Sequence, residues 1–213
     1  MRVRVLLFGP LAARLRRRDE YLELPAGARA EAVYRHYAHG DTEIGALGRD
    51  VQLAVNAEFA GADTPLSEGD EVALLPPMSG GSIANQAQAG ESGSAARGGT
   101  PLIQLVRGPV PAAAVRAAVA APEYGGVVVF EGVTRADPVG GQPVLYLEYE
   151  AYEPMALRRM EALAAEARER FQIGAIAMVH RLGRVAVGET SVMIAVGAPH
   201  RGPAFEACAW AIH

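Results

Sequence analysis

"EGDEVALLPPMSGG", residues 68–81, decides how the rest of the chain is parsed. Glu68-Gly69-Asp70 is turn chemistry, and the apolar run that follows, bounded by two prolines, reads as the closing β-strand of a domain. Beyond Pro77 the side chains shrink towards Gly80-Gly81. Glycine has no Cβ, so such a tail threads a channel too narrow for other residues and takes backbone angles they avoid. A bare Gly-Gly would do no more than open a linker. A whole strand-to-diglycine string closing a domain says more, because it looks built to be a C-terminus. Yet the chain runs on through "SIANQAQAG" to His213.

Upstream of that string, "RVRVLLFG" and "YLELP" read as strands. "ARAEAVYRHYAH" carries Ala32, Val33 and Tyr37 at helical spacing, and "VQLAVNAEFA" and "EVALLPP" add further strand. Two strands, one substantial helix and more strands predict an α+β domain of β-grasp (ubiquitin-like) type over residues 1–81. Residues 82–100, "SIANQAQAGESGSAARGGT", are small, polar and glycine-rich, and read as a flexible linker with a typical end-to-end span of ~25 Å. The second domain, residues 101–213, opens with the short helix "PAAAVRAAVAA" and the strand "GGVVVFEGVTR". A second strand, "VLYLEYEAY", precedes a long helix from Pro154, on which Met160, Leu163, Ala164, Ala167 and Phe171 form one apolar stripe. Strands "AIAMVHRLG" and "TSVMIAVGA" follow, then a helix beginning after "PHRGP".

Composition narrows the functions available. Half of the residues are hydrophobic, so packed cores are expected. No apolar run reaches the ~18 residues of a membrane span, and a net charge of −4 argues against nucleic acid or membrane surfaces as partners. The single cysteine, Cys208, excludes an internal disulfide framework and fits a reducing cytoplasm. It shares a helical face with Phe205, Ala209 and Ile212, which predicts an inert buried thiol. No group of His, Cys and carboxylates has metal-ligand spacing, so no metal site is expected. All 20 basic residues are arginine, so no lysine amine is available for chemistry.

"APHR" places His200 and Arg201 at a strand-to-helix junction. A helix N-terminus presents free N–H groups and the positive end of its dipole, and arginine adds a planar fork that matches phosphate oxygens. From the residues alone, anion binding and a capping or packing role both stay open. His180-Arg181 is a second such pair, but lies within an apolar strand and reads as structural or as part of a dimer interface.

Residues 1–81, with the proline-proline-then-diglycine tail, resemble the small, sulfur-carrying (MoaD-like) subunit of molybdopterin synthase. Residues 101–213 resemble its large, catalytic (MoaE-like) subunit through "FEGVTR", "LEYEAYEPM", "HRLGRVAVGE" and "APHRGPAFEA". The resemblance covers everything but the linker. It implies an α/β-hammerhead-like second domain and a homodimer formed through it. It also implies a reaction in which a Gly81 thiocarboxylate donates sulfur to cyclic pyranopterin monophosphate, building the dithiolene of molybdopterin. No cofactor is implied in this step, ATP being used by a separate adenylating and sulfurating enzyme that acts on the Gly80-Gly81 tail. By the same resemblance Val133, Thr134 and Arg135 match the pterin-binding segment, and Arg135, His200 and Arg201 together are expected to form one pterin-phosphate site. Phe130 corresponds to an aromatic beside the pocket, and a core role for it is as well supported.

The family's two catalytic lysines fall beyond His213, so the 213 residues are expected to be a truncated, inactive catalytic half. Two other readings stay open: a sulfur carrier with a scaffold domain, and a non-catalytic module that holds pterin phosphate or a partner. Since only a free carboxylate at Gly81 can be thiolated, the fusion is expected to be cut after that residue.

Overall fold

A computed structural model describes residues 1–76, 101–138 and 142–213. The proposed linker and the Gly80-Gly81 tail therefore lie outside the described residues. The chain divides into two compact units, Met1–Ser82 and Ile83–His213, each considered by itself.

In the first unit β1 (Arg2–Leu7) pairs antiparallel with β2 (Asp19–Glu23) and parallel with β5 (Glu71–Leu75). β5 in turn pairs with β3 (Gln52–Val55), and β3 with β4 (Glu58–Ala60), giving the order β2-β1-β5-β3-β4. Val3, Val5 and Leu7 alternate into the core with Val72 and Leu74, as a half-buried sheet face demands. α2 (Ala30–Gly40) covers that face through Ala30, Val33 and Tyr37, while Ala32 sits at the margin. α1 (Gly9–Leu15) and α3 (Thr42–Leu47) were not expected from periodicity; both are too short to display a repeat. α3 is nucleated instead by Asp41, whose carboxylate accepts from the N–H groups of Glu43 and Ile44. The stretch "VQLAVNAEFA" is a hairpin rather than one strand. It turns at Asn56 and Ala57, both at positive φ (51° and 66°), the pairing that suits the twist of a two-residue hairpin loop.

The second unit is built on a four-stranded sheet, β6 (Ile103–Val106), β9 (Ala175–Arg181), β11 (Thr190–Ala198) and β7 (Gly126–Val133), in that order. One face packs on α5 (Glu153–Arg170) and α6 (Arg201–Ile212), the other on α4 (Ala112–Ala117) with Val119 and Tyr124. Ala164 and Ala167 of α5 are buried, with Met160, Leu163 and Phe171 packed around them, as the stripe predicted. α6 begins at Arg201, before Gly202-Pro203, because proline is tolerated in a first turn whose N–H groups have no intrahelical partner. It buries Ala204, Ala207 and Cys208; Phe205 is 61% exposed and Ala209 and Ile212 face outward. The cysteine is buried as expected, but on a face rotated from the one anticipated. A separate two-stranded ribbon joins β8 (Tyr146–Tyr149) to β10 (Gly183–Ala186).

Two glycines let the layers close. A Cβ on Gly197 would lie 2.1 Å from the Val119 carbonyl oxygen, and one on Gly174 would lie 2.1 Å from the Tyr124 ring. Gly197→Ala should therefore cost about 3 kcal/mol or more, because backbone cannot yield as a side chain would. Gly202→Ala, where an added methyl meets nothing within 4 Å, should change stability by less than about 1 kcal/mol. Denaturant unfolding of the two variants checks the contrast.

Candidate functional site

The β7–β11 ladder places the candidate residues. It pairs Thr190 with Val133 at one end and Ala198 with Gly126 at the other.

At the Ala198 end the chain leaves β11 through Pro199 and enters α6, with His200 as the N-cap residue in an extended conformation (φ −129°, ψ 151°). No side chain caps this terminus and no acidic residue lies in its first turn, so its N–H groups and dipole are left uncancelled. His200 and Arg201 are both exposed, the latter adding a cation where the dipole is already positive. Gly125 and Gly126 lie directly beneath. A Cβ on Gly126 would stand 3.0 Å from both the N and Cα of Arg201, and one on Gly125 would stand 2.8 Å from the Pro199 oxygen. The doublet thus sets how closely strand and helix terminus approach. The string "YGG" was the signal for it, and only the register gives it a partner.

At the Thr190 end β7 runs out through Val133 into Thr134 and Arg135. Thr134 is 3% exposed, and its hydroxyl has no partner among the described residues. Its N–H donates to the Glu189 carbonyl (3.0 Å), and its own carbonyl accepts from Gly188 N–H (2.9 Å). Arg135 projects outward, its side chain 81% exposed and 2.9 Å from Asp137. Phe130 is partly exposed on the strand, neither core nor free.

Within the chain these two groups stand apart. Eight paired residues at ~3.3 Å each separate Arg135 from His200 and Arg201 by roughly 25 Å. The single cluster expected from the sequence is divided between opposite ends of a strand, because local motifs carry no register.

His180 and Arg181 hold structure. Arg181 at the end of β9 is 3.1 Å from the Glu189 carboxylate and donates to the Arg184 carbonyl at 3.0 Å. His180 lies edge-on to Tyr149, with ring centroids 5.0 Å apart, and its Nδ1 is 2.9 Å from the Arg181 carbonyl oxygen. Burial lowers the His180 pKa below the ordinary 6.5, and the carbonyl contact only partly opposes this. Burial likewise raises the Cys208 thiol, which keeps it protonated and unreactive. Among the described residues no group of three or more His, Cys, Asp and Glu could hold a metal, and no helix is long and apolar enough to cross a membrane.

Comparison with known proteins bears on both units. Residues 105–213 match the MoaE protein family and residues 5–81 match the ThiS family. The molybdopterin synthase catalytic subunit of Nostoc sp. is 47% identical over 89 residues, covering 41% of this chain and 53% of its own. That of Arabidopsis thaliana is 48% identical over 94 residues, covering 44% and 47%. The chain thus spans about half the length of these relatives. The crystal structure of molybdopterin synthase from Staphylococcus aureus is 34% identical with a TM-score of 0.49, covering 52% of this chain and 80% of that one.

A neutral, half-buried His180 has a consequence for pH. Its folded pKa lies below the unfolded value, so at neutral pH neither state is protonated there and nothing is lost. As pH falls below about 6.5 the unfolded chain takes up the proton first, and stability declines until His180 itself protonates. Replacing His180 with Gln should shrink the loss of stability between pH 7 and pH 5.5, measured by urea unfolding at both values.

Proposed function

Because the chain belongs to the MoaE protein family through residues 105–213, we propose that it is a fused molybdopterin synthase acting in molybdenum cofactor biosynthesis. The observation that carries this reading is the order of parts: a ThiS-family match ending at Gly81, then a catalytic-subunit match in the same chain. In this reading Gly81 bears a thiocarboxylate made by a separate ATP-using enzyme. Its sulfur forms a carbon–sulfur bond on the side chain of cyclic pyranopterin monophosphate as a carbon–oxygen bond there breaks, the oxygen leaving as water or with the opened phosphate ester; a second water then cleaves the acyl–sulfur bond and restores the glycine carboxylate. Two such transfers complete the dithiolene.

The α6 terminus with His200 and Arg201 holds the substrate phosphate, since an uncapped, acid-free helix end with an adjacent guanidinium complements the negative charge of a cyclic phosphate diester. Val133, Thr134, Arg135 and Phe130 hold the pterin. A gap of ~25 Å in one protomer is too wide for one pterin phosphate, so two copies of the chain complete each site. β7 is the outer strand of its sheet and offers the means. Antiparallel pairing of two β7 strands about a twofold axis sets one protomer's Arg135 end beside the other's His200 end.

The absence of lysine from all 213 residues favours a second reading, in which the unit binds pterin phosphate but does not itself complete transfer. Arginine does not substitute as a proton donor, because its guanidinium stays charged at working pH. The two readings separate in one assay, in which these 213 residues are mixed with thiocarboxylated small subunit and precursor: dithiolene product supports the synthase, and precursor bound without product supports the second reading.

Arg201→Ala should weaken precursor binding by about ten- to a hundredfold, the ~1.5–3 kcal/mol of a charged hydrogen bond to phosphate. Unchanged affinity, measured by anaerobic calorimetry, would remove the α6 terminus from the site. A peptide bond to Ser82 blocks thiolation of Gly81, so mass spectrometry of protein from its own cells should find a fragment ending at Gly81. Full activity of an uncleaved chain would refute the processing step.

A further inference from the structure

Arg181 and Glu189 belong to no substrate group, yet they meet the backbone that carries one. Arg181 is nearly buried, its side chain 13% exposed, while Glu189 is 45% exposed. The guanidinium reaches the Glu189 carboxylate at 3.1 Å and the Arg184 carbonyl at 3.0 Å. The same carboxylate oxygen accepts from Ala186 N–H at 3.0 Å, closing the turn that ends with Gly188 at φ 85°. That turn grips Thr134 from both sides through the Thr134-to-Glu189 and Gly188-to-Thr134 backbone bonds. Arg135 is the next residue, and among the described residues its side chain is held by the exposed ion pair with Asp137 alone.

We infer that Arg181 and Glu189 are positioning residues: a charged brace that fixes the β10–β11 turn and, through Thr134, aims Arg135 at the substrate. The inference rests on the reading that Arg135 binds pterin. A partly shielded guanidinium held at two acceptors is a firmer anchor than a surface pair, which contributes little. The brace also explains why an arginine is kept almost buried at the end of an apolar strand with its Nε unpartnered. Two fixed acceptors compensate for most of its desolvation.

The test is a double-mutant cycle in the full chain, read by anaerobic binding of cyclic pyranopterin monophosphate, with amide hydrogen exchange as a second readout. Arg181→Met should weaken binding by roughly 3- to 30-fold when Arg135 is present and by less than about 2-fold in an Arg135→Ala background. The Thr134 and Gly188 amides should exchange faster in the variant. Glu189→Gln, which keeps the shape and loses the charge, should show the same pattern more weakly and guards against a variant that fails to fold. Equal losses in both backgrounds, or unchanged exchange at Thr134, would overturn the inference and leave Arg181 as a packing residue. If Arg135→Ala alone leaves binding intact, it is the assignment of Arg135 to the substrate that falls, and exchange still reports whether the brace holds Thr134.

Discussion

The register between β7 and β11 governs the second unit. Eight residue pairs lock the two strands, and β11 is paired on its other edge with β9 over six more. A strand held on both edges and covered on both faces cannot bend to bring its ends together. The candidate residues Arg135 and His200-Arg201 sit at opposite ends of the ladder, with Phe130 between them. Strand length therefore becomes a ruler that sets the spacing between guanidiniums, and sliding by one residue would exchange the Ala195 face for the Ile194 face and expose both cores.

Much of the fold was legible because the patterns were strong. The α5 stripe from Met160 to Phe171 followed a 3.6-residue period with charges outside, and the same residues meet the core. The turn at Gly69 and the strand after it were marked by composition alone. Failures came where the pattern was degenerate. "AFEACAWAI" is apolar nearly all round, so no period fixes which side of α6 faces the sheet, and packing on β11 and β7 chose Ala204, Ala207 and Cys208. Asn56-Ala57 hid a hairpin because alanine does not advertise a positive φ as glycine does.

The site was legible in pieces. "APHR" announced a helix terminus suited to an anion, and the terminus is there, uncapped and free of acid. What a linear string cannot carry is which motif faces which. Arg135 and Arg201 are 66 positions apart in sequence, and their placement depends on the direction in which two strands run. The same holds for Glu189, whose part is visible only once Arg181, Ala186 and Thr134 surround it.

β7 is an outer strand, and Val127, Val129 and Val133 along it are substantially exposed. An edge of this kind, apolar and free on its far side among the described residues, is a template for strand addition. In the proposed dimer, where two copies would cover this edge, folding would become linked to association, and mass action would enter the stability of the unit. The midpoint of thermal unfolding then rises with protein concentration. For such a dimer dilution would act as a denaturant in its own right, and the abundance of the chain would help to decide how much of it is folded.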